Sequence, residues 1–256
     1  MSTLQVAQFR CRSDNFGLLL HDADSGLTAS IDTPDGETIW QELQQRGWQL
    51  SHIFNTHHHY DHVPGNELLK ERSGCTIIGA KIDAPRIPGI DVQLRDGEVF
   101  PFAAHRLQMI ETPGHTMGCV CYYVQGERLL FTGDTLFSMG CGRLFEGSPE
   151  IMWHSLQKLM ALPDDTQIYC GHEYTLTNGE FALEIEPQNS ALQERVKEVR
   201  QLRRARKDTL PVSLASEKAS NPFLRPHSPE IRRFLDLPEA TKTEVFAAIR
   251  SRRNSF

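Results

Sequence analysis

No stretch of this 256-residue chain is apolar over the roughly 20 consecutive residues that a membrane-spanning helix needs. The first residues, "MSTLQVAQFRCRSDNF", lack an apolar core followed by a small-residue cleavage site, so a cytoplasmic protein is expected. Cysteine is scarce, six in all, and no C-x-x-C pairs fall at finger spacing. Cys119 and Cys121 lie two apart in a strand-like run and read as small core thiols. An excess of positive charge is also missing. The net charge is −6, which argues against a general nucleic-acid binder. The basic run "ERVKEVRQLRRARK" (Glu194 to Lys207) fits a solvated helix face. Repeats and low-complexity segments are absent, and with 39% hydrophobic and 23% charged residues the chain is composed like a soluble globular enzyme.

What the chain has in excess is local. "NTHHHYDH" (Asn55 to His62) sets four histidines and an aspartate in six consecutive positions, directly after the apolar pair Ile53-Phe54. Neutral imidazole is the commonest protein ligand for divalent metals. Three further polar motifs also follow apolar strands: "TPGHT" after Met109-Ile110, "TGD" after Leu129 to Phe131, and "CGHEYT" after Ile168-Tyr169. Strands ending at one edge of a sheet would bring such loops together. The candidate ligands are His57, His59, Asp61, His62, His115, Asp134 and His172. A closed structural zinc site uses four ligands. Seven suit two ions with one carboxylate shared, a hydrolytic arrangement.

Around these motifs the first part of the chain reads as strands and short helices. "FGLLLHDADSGLTASID" predicts two strands about a turn. "GETIWQELQQRG" and "GNELLKERSG" predict helices stopped at Gly47 and Gly74. Strand signals continue through "DVQLRDGEVFPF", which turns at Asp96-Gly97, and through the hairpin "CVCYYVQGERLLFTGDT". Ser148 caps a helix over "SPEIMWHSLQKLMALP". Beyond Thr177 only helical spacing persists, with no strand expected, and a boundary falls near 175–181. The domains expected are therefore 1–176 and a small helical domain over 177–256.

"THHHYDH" resembles the H-x-H-x-D-H signature of metallo-β-lactamase-fold hydrolases, and "PGHT", "GDT" and "GHE" follow in that superfamily's order. The longer strings "TGDTLFSMGCGRLFEG", "CGHEYT" and "SNPFLR" are similar to the hydroxyacylglutathione hydrolase (glyoxalase II) family. This resemblance implies an α+β fold, a four-layer αβ/βα sandwich with a C-terminal helical domain that binds glutathione. It assigns His57, His59 and His115 to one metal ion and Asp61, His62 and His172 to the other, with Asp134 bridging. Zinc is the expected ion, with iron and manganese as alternatives. Asp61 and Asp134 would be catalytic. Arg143, Tyr174, Arg250 and Arg253 would bind the anionic glutathione of a thioester such as S-D-lactoylglutathione, yielding glutathione and D-lactate in methylglyoxal detoxification. Arg143 stands where a lysine is common in the family, and Phe145 where many members have a tyrosine. A monomer is expected, with neither nucleic acid nor membrane as partner.

The strongest rival is a mononuclear-iron persulfide dioxygenase of the same fold. It would use His57, His115 and Asp134, a set suited to iron(II). The helical tail from Phe181 onward counts against it. His58 and Tyr60 are read as loop residues. Asp32, following a buried strand, reads either as a partner behind a ligand or as a hairpin-end residue.

Overall fold

A computed structural model describes residues 4–256; the first three residues lie outside the described residues. The chain divides into two compact units. One runs to Glu111 and resumes over Met117–Gly133; the other holds Thr112–Thr116 and Asp134–Phe256.

In the first unit, β1 (Leu4–Cys11), β2 (Asn15–Asp22), β3 (Leu27–Ile31), β4 (Gln49–Phe54), β5 (Thr76–Ala80) and β6 (Val92–Leu94) form one sheet in sequence order. The pairings β1–β2–β3 are antiparallel, and those from β3 to β6 are parallel. Helix α1 (Gly36–Arg46) joins β3 to β4, and α2 (Asn66–Ser73) joins β4 to β5, as parallel pairing requires. Asp35 caps α1 by accepting a hydrogen bond from Thr38 N at 2.7 Å, worth about 1 kcal/mol. Gly47 ends it in a left-handed conformation, φ 67°, and Gly74 does the same for α2 at φ 69°. Ile39, Leu43 and Leu69 of these helices pack on Leu19, Leu50, Ile53 and Ile77 of the sheet. Each buried leucine or isoleucine contributes about 1.5–3 kcal/mol.

The same unit carries β7 (Val99–Phe102), β8 (His105–Glu111), β9 (Val120–Val124) and β10 (Leu129–Phe131), paired antiparallel in sequence. Alternation along β4 divides its side chains between two cores. Ile53 faces the helices, while the Phe54 ring lies 5.2 Å from Tyr122 of β9 and 5.4 Å from Phe100 of β7. The Asp96-Gly97 turn passes the chain from one sheet to the other: β6 pairs with β5, and β7 with β8.

The second unit begins its longer segment with a small antiparallel hairpin, β11 (Leu136–Phe137) and β12 (Gly140–Cys141). Then come α3 (Pro149–Met160), β13 (Gln167–Tyr169), α4 (Thr175–Ile185), α5 (Ser190–Arg204), β14 (Val212–Ser213), α6 (Leu214–Ser220), α7 (Pro229–Phe234) and α8 (Lys242–Ser255). Strand β14 pairs with β13, which corrects the expectation of no strand beyond Thr177. Two residues are too few to show an alternating pattern. Ser148 and Asn189 cap α3 and α5, and Thr241 with Glu244 forms a capping box on α8. Met139 packs with Ala182, Leu192, Val196 and Val199. Among the described residues no helix is long and apolar enough to cross a membrane.

Candidate metal centre

The histidine-rich segment leaves β4 as a loop held from beneath. Thr56 N donates to Asp32 Oδ1 at 2.7 Å, and Thr56 Oγ1 donates to Asp32 Oδ2 at 2.7 Å. His57 Nδ1 lies 3.0 Å from the same hydroxyl, and His62 Nδ1 lies 2.8 Å from Asp32 Oδ2. A carboxylate only accepts, so His62 carries its proton on Nδ1. The Thr56 hydroxyl, having given its proton to Asp32, accepts from His57 Nδ1. Asp32 thereby sets the tautomer of two histidines and leaves Nε2 of each as the lone-pair nitrogen, the usual arrangement behind a metal ligand. Of the two sequence readings of Asp32, its hydrogen bonds to His62 and Thr56 favour a partner behind candidate ligands. The signal was too thin to find it: one aspartate after an apolar strand.

Other contacts fix the rest of this loop. Asn15 Nδ2 donates to both the carbonyl and Oδ2 of Asp61, each at 3.1 Å. His58 Nδ1 lies 3.1 Å from the fully buried Asp83. Thr33 N donates to the His62 carbonyl at 2.7 Å, and Tyr122 OH donates to the Asn55 carbonyl at 2.9 Å. Burial pushes the Tyr122 hydroxyl's pKa well above its usual value, so it remains a donor. His105, outside every motif, is a buried histidine whose Nε2 lies 3.0 Å from Asp22 Oδ2.

In the second unit His115 Nδ1 donates to the Arg143 carbonyl at 2.7 Å, which again leaves Nε2 as the lone-pair nitrogen. Asp134 Oδ2 lies 3.5 Å from His115 Nε2 and 3.4 Å from His172 Nε2. One carboxylate oxygen thus stands almost equally far from two imidazoles. Gly142 makes this packing possible, since a Cβ there would lie 2.0 Å from the Asp134 carbonyl oxygen and 3.1 Å from His115 Nδ1.

Within the first unit, His57, His59, Asp61 and His62 share one loop; within the second, one oxygen of Asp134 stands beside both His115 and His172. Four of the seven candidate ligands belong to the first unit and three to the second. Two ligands on a tetrahedral ion with bonds near 2.1 Å stand about 3.4 Å apart, which the Asp134 separations match. The donors are imidazole nitrogens and carboxylate oxygens, a chemistry that suits zinc, iron or manganese. The residues fit divalent cations.

The predicted substrate-binding residues differ among themselves. Arg143 is exposed, its guanidinium 6.0 Å from the exposed Phe145 ring. Tyr174 is 36% exposed and stacks on His172 with ring centroids 4.8 Å apart. Arg253 is half-buried, with Nη2 3.3 Å from Asn178 Oδ1. Its pKa is lowered by burial first and then by the charges of Arg250 and Arg143, which marks a local gathering of cations. Arg250 is buried and already engaged: Nη1 donates to the Cys141 carbonyl at 2.7 Å and Nη2 to Asn254 Oδ1 at 3.1 Å. Burial raises the Cys141 pKa despite the nearby Arg250, so this cysteine stays a thiol and offers no nucleophile.

Comparison with known proteins agrees with this geometry. Residues 29–172 match the metallo-beta-lactamase superfamily, and residues 173–256 match the hydroxyacylglutathione hydrolase C-terminus. A hydroxyacylglutathione hydrolase of Brucella anthropi is 56% identical over 99% of this chain and 97% of its own length. That of Rhizobium meliloti is 54% identical, with 100% of both chains covered. Among solved structures, the BLEG-1 B3 metallo-beta-lactamase superposes with a TM-score of 0.67 at 20% identity, covering 86% of this chain and 100% of that one; this likeness speaks to the fold. With both parts of the chain matched and more than half of its residues shared with the curated relatives, it belongs to the hydroxyacylglutathione hydrolase family of the metallo-β-lactamase superfamily.

Proposed function

We propose that this chain hydrolyses the thioester of an S-2-hydroxyacylglutathione, S-D-lactoylglutathione in the first instance, to glutathione and a 2-hydroxy acid. The observation that carries the reading is Asp134 facing two imidazoles, His115 and His172, with one oxygen, beside a histidine-rich loop whose His57 and His62 are oriented by Thr56 and Asp32, in a chain whose C-terminal part matches the hydrolase-specific family model. That C-terminal match favours the hydrolase over a mononuclear-iron dioxygenase. Two divalent ions, zinc by preference, would activate a water and offset negative charge on a carbonyl oxygen.

The chain's own residues do the rest. His57, His59 and His115 would hold one ion; Asp61, His62 and His172 would hold the other; Asp134 would serve both. Asp61, held by Asn15, would orient the attacking water. Arg143, Tyr174 and Arg253 would receive the glutathione moiety, while Arg250, engaged with Cys141, would support them from behind. A thiol leaving group has a pKa near 8.5, so the site needs no strong dedicated general acid. Residues 1–176 would then be the catalytic domain and 177–256 the substrate-binding one. We place the protein in the cytoplasm as a monomer acting in methylglyoxal detoxification; the burial of all six cysteines suits core thiols of a reducing compartment.

The test combines metal analysis with a thiol-release assay on S-D-lactoylglutathione under argon. About two ions per chain and turnover without oxygen are expected. Saturation at one ion, or a strict need for oxygen with glutathione persulfide as the better substrate, would transfer the assignment to the dioxygenase.

A further inference from the structure

The hairpin that follows Asp134 is held almost wholly by side chains from far along the sequence. The carbonyl oxygens of Phe137 and Gly140 accept from Asn221 Nδ2 at 3.2 and 3.0 Å. The Ser138 carbonyl accepts from Asn178 Nδ2 at 3.1 Å, and that of Cys141 from Arg250 Nη1 at 2.7 Å. At the tip, Glu217 takes Ser138 Oγ on one carboxylate oxygen at 2.9 Å and Met139 N on the other at 2.8 Å. Asn221 Nδ2 donates to that second oxygen as well, at 2.9 Å.

Two features make this more than ordinary packing. Met139 has a left-handed backbone, φ 54°, which a residue with a side chain seldom adopts unless its surroundings impose it. Its side chain is fully buried among the α4 and α5 residues Ala182, Val196 and Val199. Glu217 is fully buried as well, a carboxyl group kept inside only by its donors. A two-stranded hairpin this short has little stability of its own. Its outgoing strand leads directly to Gly142, packed against Asp134, and to the Arg143 carbonyl that orients His115.

We infer that Glu217 and Asn221 are positioning residues: by fixing the Leu136–Cys141 hairpin they set the Arg143 carbonyl against His115 and Asp134. This rests on the reading of His115 and Asp134 as metal ligands. Neither Glu217 nor Asn221 touches a ligand, and sequence spacing gives no hint that they act on the site.

The experiment compares wild type, Glu217→Ala, Glu217→Gln and Asn221→Ala as zinc-loaded full-length protein. Circular dichroism checks folding, chelator competition gives zinc affinity, steady-state assays give kcat and KM, and hydrogen exchange follows the amides of 136–143. Glutamine preserves the pattern, since its oxygen accepts from Met139 and Asn221 while its amide donates to Ser138 Oγ. Glu217→Gln should therefore stay near wild type. Glu217→Ala should lose about 10–100-fold in kcat or in zinc affinity, with KM moving less than kcat and with faster exchange confined to the hairpin. A folded Glu217→Ala with wild-type kcat, zinc affinity and exchange overturns the proposal, as does a Glu217→Gln as impaired as the alanine. If Glu217→Ala does not fold, Asn221→Ala is read by the same criteria. Wild type that binds zinc but leaves the thioester intact would refute the substrate reading alone. Wild type that binds no zinc would refute the ligand reading, and unchanged hairpin exchange in the variants would then refute the clamp.

Discussion

Asp32 sits at the end of β3 with φ 55° and governs the proton positions of His57 and His62 through three hydrogen bonds of 2.7–2.8 Å. Asp32→Ala should weaken zinc binding by about 10–100-fold, read by chelator competition; an unchanged affinity would show that the histidines orient themselves. The two tail arginines should separate by kinetics. If Arg253 holds the glutathione moiety as proposed, Arg253→Ala removes a contact remote from the scissile bond, so KM should rise by about tenfold while kcat changes little. Arg250→Ala also removes a buried donor from the Cys141 carbonyl, so kcat and melting temperature should fall together. Equal, KM-only effects in both variants would return Arg250 to the substrate. The seven candidate ligands stood out in the sequence because metal chemistry accepts few residue types and one motif packs four of them closely. Asp83 and Glu217 did not, and Asp32 did so only as one of two readings, since a single carboxylate in a chain holding 33 acidic residues carries no spacing signal.

Helices α1, α2 and α3 announced themselves by their stops and caps: Gly47, Gly74 and Ser148 stand where the backbone needs them. The hairpin β11–β12 did not, because its two-residue strands depend on Asn221, Asn178 and Glu217 rather than on local propensity. The Asp96-Gly97 turn was visible, but turn chemistry is the same whether the flanking strands pair or part, and these part into separate sheets. Gly142 gives the sharpest test at this scale. A Cβ there meets backbone, the Asp134 carbonyl oxygen at 2.0 Å, and backbone cannot swing aside as a side chain does. Gly142→Ala should displace the Arg143 carbonyl from His115 and cut kcat by about 100-fold, with the helices intact by circular dichroism. Full activity in that variant would mean that the loop yields freely, and the proposed dependence of His115 on it would fail.

For the molecule as a whole, the buried glutamates set opposite responses to pH. Glu186, at the end of α4, accepts from Arg225 at 2.8 and 2.9 Å, from Ser228 at 2.5 Å and from Asn189 at 2.9 Å. Burial alone would raise its pKa; the bonds from Arg225, Ser228 and Asn189 outweigh burial and bring it below the ordinary 4.5. A carboxyl whose folded pKa lies below its unfolded pKa stabilises the fold above the unfolded value and loses that contribution as pH falls through the folded one. Glu217 behaves in the opposite sense. Burial leads and raises its pKa despite the bonds from Met139, Asn221 and Ser138, so what it contributes at low pH declines as pH rises. The acid limb of the stability curve should therefore belong in part to Glu186. In urea denaturation, wild type should lose stability between about pH 5 and 3. Glu186→Gln should be about 1–3 kcal/mol less stable at pH 7, because Arg225 loses its anion, and should lose less than wild type on acidification. The measurement is the difference between the two proteins' urea midpoints at pH 7 and near pH 3.5, at fixed salt. If that difference is the same at both pH values, Glu186 does not carry the acid sensitivity, and its bonds to Arg225 and Ser228 hold equally well to a neutral side chain.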